Sequence, residues 1–150
     1  MLSGKKGFER ANVKADPVAH AEFKRVSALM KAVGKDDALY FAIINRYCEL
    51  FSEIIRYQSE MARWQKLMEE LQERFDETEA NAEEIIEFAK TYKGMGERID
   101  KINAIIQQKR KMMLDLEKEN GMTVAAALRA IPKGTGKKET DPLMAILGGN

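Results

Sequence analysis

The sequence is poor in the residues that carry covalent and metal chemistry. Its 150 residues hold one Cys, one His and one Trp, with three Pro. One Cys excludes an intramolecular disulfide framework, and one Cys with one His cannot build a thiolate/imidazole zinc site. A lone His would have to serve every role in a Cys/His or Ser/His nucleophile system, which removes most such arrangements. No apolar run approaches the roughly 20 residues that cross a bilayer. The first residues, Met-Leu-Ser-Gly-Lys-Lys-Gly, contain no apolar segment of the secretory kind. The expectation is a soluble, intracellular, single-domain protein that is not an enzyme and needs no cofactor or metal.

What is present is charge, a third of the residues. The formal net charge of +1 conceals three blocks. Residues 1–35 carry eight basic and three acidic residues, residues 36–90 six and fourteen, and residues 91–150 eleven and seven. The blocks therefore net +5, −8 and +4, and segregated charge creates local fields that the total hides. The basic front suits a polyanion, which the acidic middle would repel.

Along the chain, residues 1–14 lack periodicity and read as a flexible basic tail. Asp16-Pro17 then supplies an N-cap and a first-turn proline. Ala19, Phe23, Val26, Met30 and Val33 form one apolar stripe, and Gly34 is placed to end the helix, which is expected over 17–33. Asp36 or Asp37 caps a longer helix, expected over 37–75. Within it Tyr40, Tyr47, Ile54, Met61, Met68 and Phe75 recur every seven residues, as do Ile43, Leu50, Tyr57, Trp64 and Leu71. Such a repeat belongs to helices packed side by side in near coiled-coil geometry. At about 1.5 Å per residue the helix would be roughly 58 Å long and would need partners along its length.

Residues 76–82 read as an acidic turn. Ile85, Ile86, Phe88, Ala89 and Tyr92 predict a short helix ending at Gly94-Met95-Gly96. The stripe of Ile99, Ile102, Ile106, Met113 and Leu116 predicts a further helix over 97–119, closed by Asn120-Gly121. Thr123 starts a short Ala-rich helix that Pro132 stops. Residues 132–150 form a linker and an apolar end, in which Leu143, Met144, Ile146 and Leu147 suit docking into a groove of another protein. The fold class is thus all-α: a short N-terminal helix, a long antiparallel helical hairpin with coiled-coil-like packing, and a short C-terminal helix.

Chemistry is sparse. Gly134-Thr135-Gly136-Lys137-Lys138 has the wrong spacing for a phosphate loop, and Glu69/Glu70 and Glu83/Glu84 read as solvated helix faces. His20 suits a surface or interhelical hydrogen bond, Cys48 a small buried apolar position. Phosphate contacts ask only for cations, and the candidates are Lys5, Lys6, Arg10, Lys14, Lys24, Arg25, Lys31 and Lys35. A second cluster is Lys109-Arg110-Lys111. The heptad positions Tyr47, Ile54, Tyr57, Met61, Trp64 and Met68 are the candidates for contacts between copies of the chain.

The order of elements carries a resemblance. It rests on Ala15-Asp16-Pro17-Val18-Ala19-His20-Ala21-Glu22-Phe23-Lys24-Arg25, on Asp36-Asp37-Ala38-Leu39 with Tyr47-Cys48-Glu49, and on Leu116-Glu117-Lys118-Glu119-Asn120-Gly121-Met122-Thr123 followed by Val124 to Arg129. Over 15–131 the chain resembles the small terminase subunits of tailed double-stranded DNA phages. The resemblance implies a non-catalytic DNA-recognition component of a genome-packaging motor, working in the host cytoplasm. Such a subunit binds viral DNA at the packaging site, delivers it to the large terminase subunit and regulates that subunit's ATPase and nuclease. It implies a homo-oligomeric ring, about eight to ten subunits, built head-to-tail from identical neighbours. Two other classes share the sequence features: a coiled-coil scaffold with no nucleic-acid role, and a dimeric helix-turn-helix regulator.

Overall fold

A computed structural model describes residues 8–122. It contains four helices and no β-strand among the described residues: α1 (Ala11–Ala15), α2 (Pro17–Ala32), α3 (Ala38–Asp76) and α4 (Ala82–Asn120). The short C-terminal helix expected after Thr123, the linker, and the docking residues Leu143, Met144, Ile146 and Leu147 lie outside the described residues, as do Lys5 and Lys6.

The helix ends follow from local side-chain chemistry. Asp16 Oδ1 accepts the main-chain N–H groups of Val18 and Ala19 at 3.0 and 3.3 Å, with Pro17 at the first helical position of α2. This satisfies donors that the first turn leaves orphaned. Asp37, of the two candidate caps, does the same for Leu39 and Tyr40 at the start of α3. At α4 the cap is reciprocal: Asn81 Oδ1 accepts from Glu84 N–H while Glu84 Oε2 accepts from Asn81 N–H, both at 3.0 Å. Helices α2 and α4 both close on a left-handed glycine, Gly34 at φ 76° and Gly121 at φ 62°. In each the following N–H reaches back to the helix, Lys35 to the Met30 carbonyl and Met122 to the Glu117 carbonyl.

The described residues divide into two units, 8–52 with 111–122, and 53–110. In the first, Ala19, Phe23, Val26 and Met30 bury the predicted stripe of α2. Ile44, Tyr47 and Leu50 bury the heptad face of α3, joined by Met113 and Met122. Helix α3 also buries a second face made of small and polar residues, Asn45, Cys48 and Ser52. Ser52 Oγ donates to Asp16, and Asn45 is bound to Phe8 and Arg10, so this face meets the segment that leads into α2. Tyr47 O–H donates to Glu117 Oε1 at 2.7 Å, tying α3 to the end of α4.

In the second unit the two helices run antiparallel, since Phe75 pairs with Phe88, Glu60 with Arg98 and Glu53 with Lys109. The Phe75 and Phe88 rings stack with centroids 4.0 Å apart, and Tyr92 lies 5.5 Å beyond Phe88. Ile54, Ile102 and Ile106 are buried. From residue 55 to residue 101 no side chain is.

Two expectations need correction. Residues 8–14 do not belong to a free tail, because Ala11–Ala15 is helical and Val13 is fully buried. The segment is held by residues distant in sequence, a signal that local periodicity does not contain. The predicted helices over 83–93 and 97–119 are one helix, which runs through Gly94 and Gly96. Neither glycine adopts positive φ. A helix-interior glycine costs only about 1 kcal/mol against alanine, and the packing of Phe88 before it and Ile102 after it carries the helix through.

Candidate nucleic-acid interface

The described candidate cations fall into two groups. Arg10, Arg25 and Lys35 are already engaged. Arg10 NH1 lies 3.7 Å from Glu49 Oε1. Arg25 grips the buried Glu22 carboxylate with two donors, Nε at 3.0 Å and NH2 at 2.5 Å. That hydrogen bond, together with the carboxylate's charge, holds the guanidinium even further above the physiological range. Lys35 Nζ donates to the carbonyl of Asn120 at 3.0 Å and lies 5.6 Å from the Tyr40 ring centroid. It neutralises the C-terminal end of α4, where a cation complements the helix dipole. Lys35 is thus engaged as a helix-end partner.

Lys14, Lys24 and Lys31 form the other group. All three are exposed, and none has a carboxylate partner among the described residues. Lys24 and Lys31 are seven residues apart on α2, two helical turns, and so share one face. In the same unit Glu9, Glu22 and Glu49 are each drawn to a nearby base. His20 Nδ1 stands 2.5 Å from Glu9 Oε1, a partner in the segment before α1 and not on another helix. In the second cluster Lys109 is tied to Glu53 at 2.5 Å and lies 5.8 Å from the Tyr57 ring centroid, while Arg110 and Lys111 are exposed.

The candidate oligomer contacts also divide. Tyr47 and Ile54 are buried by the chain's own packing, and their assignment to a contact between copies is corrected. Burial, then the hydrogen bond to Glu117, pushes the Tyr47 phenol above its ordinary range. Tyr57, Met61, Trp64 and Met68 are half-buried in the second unit, in which Ile55, Leu67, Ile85 and Ile86 are exposed. Beside Tyr57 opens a cleft of about 590 Å³ whose charged lining includes Arg56, Glu60, Arg63 and Lys109. Hydrogen bonding from Arg98 holds the Glu60 carboxyl below its usual range.

No group of three His, Cys, Asp or Glu among the described residues could hold a metal ion. No described helix is long and apolar enough to cross a membrane. Cys48 is fully buried, and desolvation pushes its thiol up to about 12, away from nucleophilic use near neutral pH. Sequence periodicity misses three residues, Asn45, Glu49 and Glu22. For Asn45 a signal exists: Phe41, Asn45, Cys48 and Ser52 repeat at spacings of 4, 3 and 4 on the side of α3 away from its heptad stripe.

No protein-family model, curated protein or solved structure matches the chain.

Proposed function

We propose that the chain is a non-catalytic DNA-binding adaptor of the small terminase type. It binds duplex DNA through α1 and α2, self-associates through the heptad positions Tyr57, Met61, Trp64 and Met68, and presents the DNA to a large terminase subunit. The observation that carries the DNA reading is the trio Lys14, Lys24 and Lys31, exposed and free of carboxylate partners on the described surface. Residues 69–87, by contrast, hold nine acidic residues and one basic. Exposed lysines without a carboxylate partner in one unit and acids concentrated in the other favour a polyanion at the first and keep it from the second. The exposed and half-buried apolar side chains from Tyr57 to Tyr92 support lateral association with further copies.

Titration of duplex DNA across a salt series tests the DNA reading. Each lost phosphate contact lowers the slope of log affinity against log salt by about 0.9. The triple variant K14A/K24A/K31A is expected to lose about 2.7 of that slope with its helix content unchanged. Absence of binding by the native chain at low salt would overturn the reading in favour of a scaffold. Native mass spectrometry tests the ring, and a single dimeric species would replace it with the dimeric regulator.

A further inference from the structure

Residues 8–15 contribute a helix of five residues, too short to persist alone. Apart from buried Val13, they are attached by side chains that lie far away in sequence. The centre of the attachment is Asn45 of α3, only 1% exposed. Its Oδ1 accepts the main-chain N–H of Arg10 at 2.8 Å, and its Nδ2 donates to the main-chain carbonyl of Phe8 at 3.0 Å. The same Nδ2 also donates to the Phe41 carbonyl at 2.7 Å, so both amide protons and the amide oxygen are used. An amide that pairs with the C=O of one residue and the N–H of the second residue after it reads the main chain and ignores side-chain identity. Around it Glu49 accepts from Asn12 Nδ2 at 2.8 Å and faces Arg10, while Glu9 faces His20 at 2.5 Å.

We infer that Asn45 is a positioning residue for DNA contact: its grip on Phe8 and Arg10 docks residues 8–15, and thereby holds Lys14 on the same unit as Lys24 and Lys31. The docking stands on the geometry alone, whereas the positioning role rests on the DNA reading above. The physical gain is entropic. Cations on an undocked arm must be ordered when they meet phosphate, which costs backbone conformational entropy. Cations on a docked arm are ordered beforehand.

The test compares R10A with R10P in the full chain. Arg10 sits at φ −69°, the value proline adopts, so R10P removes the N–H that Asn45 accepts without forcing the local turn. R10A removes only the side chain. Two quantities are read: amide hydrogen exchange over residues 11–16, and the salt slope of duplex DNA binding. R10A is expected to exchange like the native chain and to leave the slope unchanged, because Arg10 is already engaged by Glu49. R10P is expected to speed exchange over 11–16 at least tenfold and to lower the slope by about 0.9, because Lys14 goes with the released arm. N45A should match R10P in exchange, and if it fails to fold, the Arg10 pair, which leaves α3 intact, decides. Unchanged exchange in R10P overturns the docking. Equal slopes for R10A and R10P in a chain that binds DNA overturn the positioning role alone, whereas a native chain that binds no duplex overturns the DNA reading.

Discussion

The two units of the chain share one seven-residue apolar repeat and use it differently. In residues 8–52 with 111–122, α3 buries its heptad face through Ile44, Tyr47 and Leu50 and its opposite face through Asn45, Cys48 and Ser52. In residues 53–110 the repeat continues through Tyr57, Met61, Trp64 and Met68, yet nothing between 55 and 101 is buried. Leu67, Ile85 and Ile86 remain 46, 49 and 56% exposed. The repeat specifies which face is apolar. How far that face is covered depends on how many helices are present to pack on it, and the second unit has two.

The comparison breaks most sharply in the core. Ile44→Ala and Leu50→Ala remove fully buried side chains and should each cost about 2–5 kcal/mol in chemical denaturation. Leu67→Ala and Ile86→Ala should cost less than about 0.5 kcal/mol in the isolated chain. If they instead change the mass of the native assembly, a further copy covers this face. Equal costs in the two units would remove the distinction between them.

Thiol chemistry supplies the next largest effect. Burial raises the Cys48 thiol from 9.0 to about 12, so at pH 8 its thiolate is about a thousandfold scarcer than a free one. Alkylation in native conditions should slow by that factor and recover in denaturant, while a cysteine introduced at exposed Ser59 (Ser59→Cys) should react at the free rate. A raised acid contributes stability that is complete below pH 9 and is lost as the pH climbs toward 12. The denaturation midpoint should therefore fall across that interval, and fall less in Cys48→Ala.

These contrasts also explain what the sequence could reveal. Helix ends were legible because their causes are local: Asp16-Pro17, Asp37, Gly34 and Gly121 each act within a few residues. The heptad face of α3 was legible because it repeats. The second face was harder to see, since Asn45, Cys48 and Ser52 are small or polar and become core only when α1 and α2 lie over them. Helix α1 was invisible for the same reason, because Val13 and the Asn45 grip depend on a pairing across 35 residues. At the candidate interface the residue types were legible but not all of their partners were. Nothing near Lys35 in the sequence announces Asn120, whereas the i,i+3 spacing of Glu22 and Arg25 on α2 is a local signal that marks that pair and sets it apart from Lys24.

The N-cap of α2 offers a smaller, local perturbation within the first unit. Asp16→Ala removes an acceptor for two main-chain N–H groups and for Ser52 Oγ, and should cost about 1 kcal/mol in thermal denaturation. A cost near zero would mean that packing alone fixes the start of α2.

The smallest effect has the opposite sign and belongs to the second unit. Helix α4 passes through Gly94 and Gly96, and a Cβ at either would meet nothing within 4 Å. Neither position has the positive φ that would strain an alanine. Gly94→Ala and Gly96→Ala should therefore each stabilise by about 0.4–1 kcal/mol, chiefly by restricting the unfolded chain. At this chain length 1 kcal/mol corresponds to about 2–4 °C in Tm, so calorimetry on the double variant should register the gain. If the substitutions destabilise instead, the two glycines are needed for close approach by something the isolated chain does not contain, and the exposed face of residues 57–92 is where it would sit. The sign of this small change thus separates a helix that merely tolerates its glycines from one that keeps them to admit a neighbour.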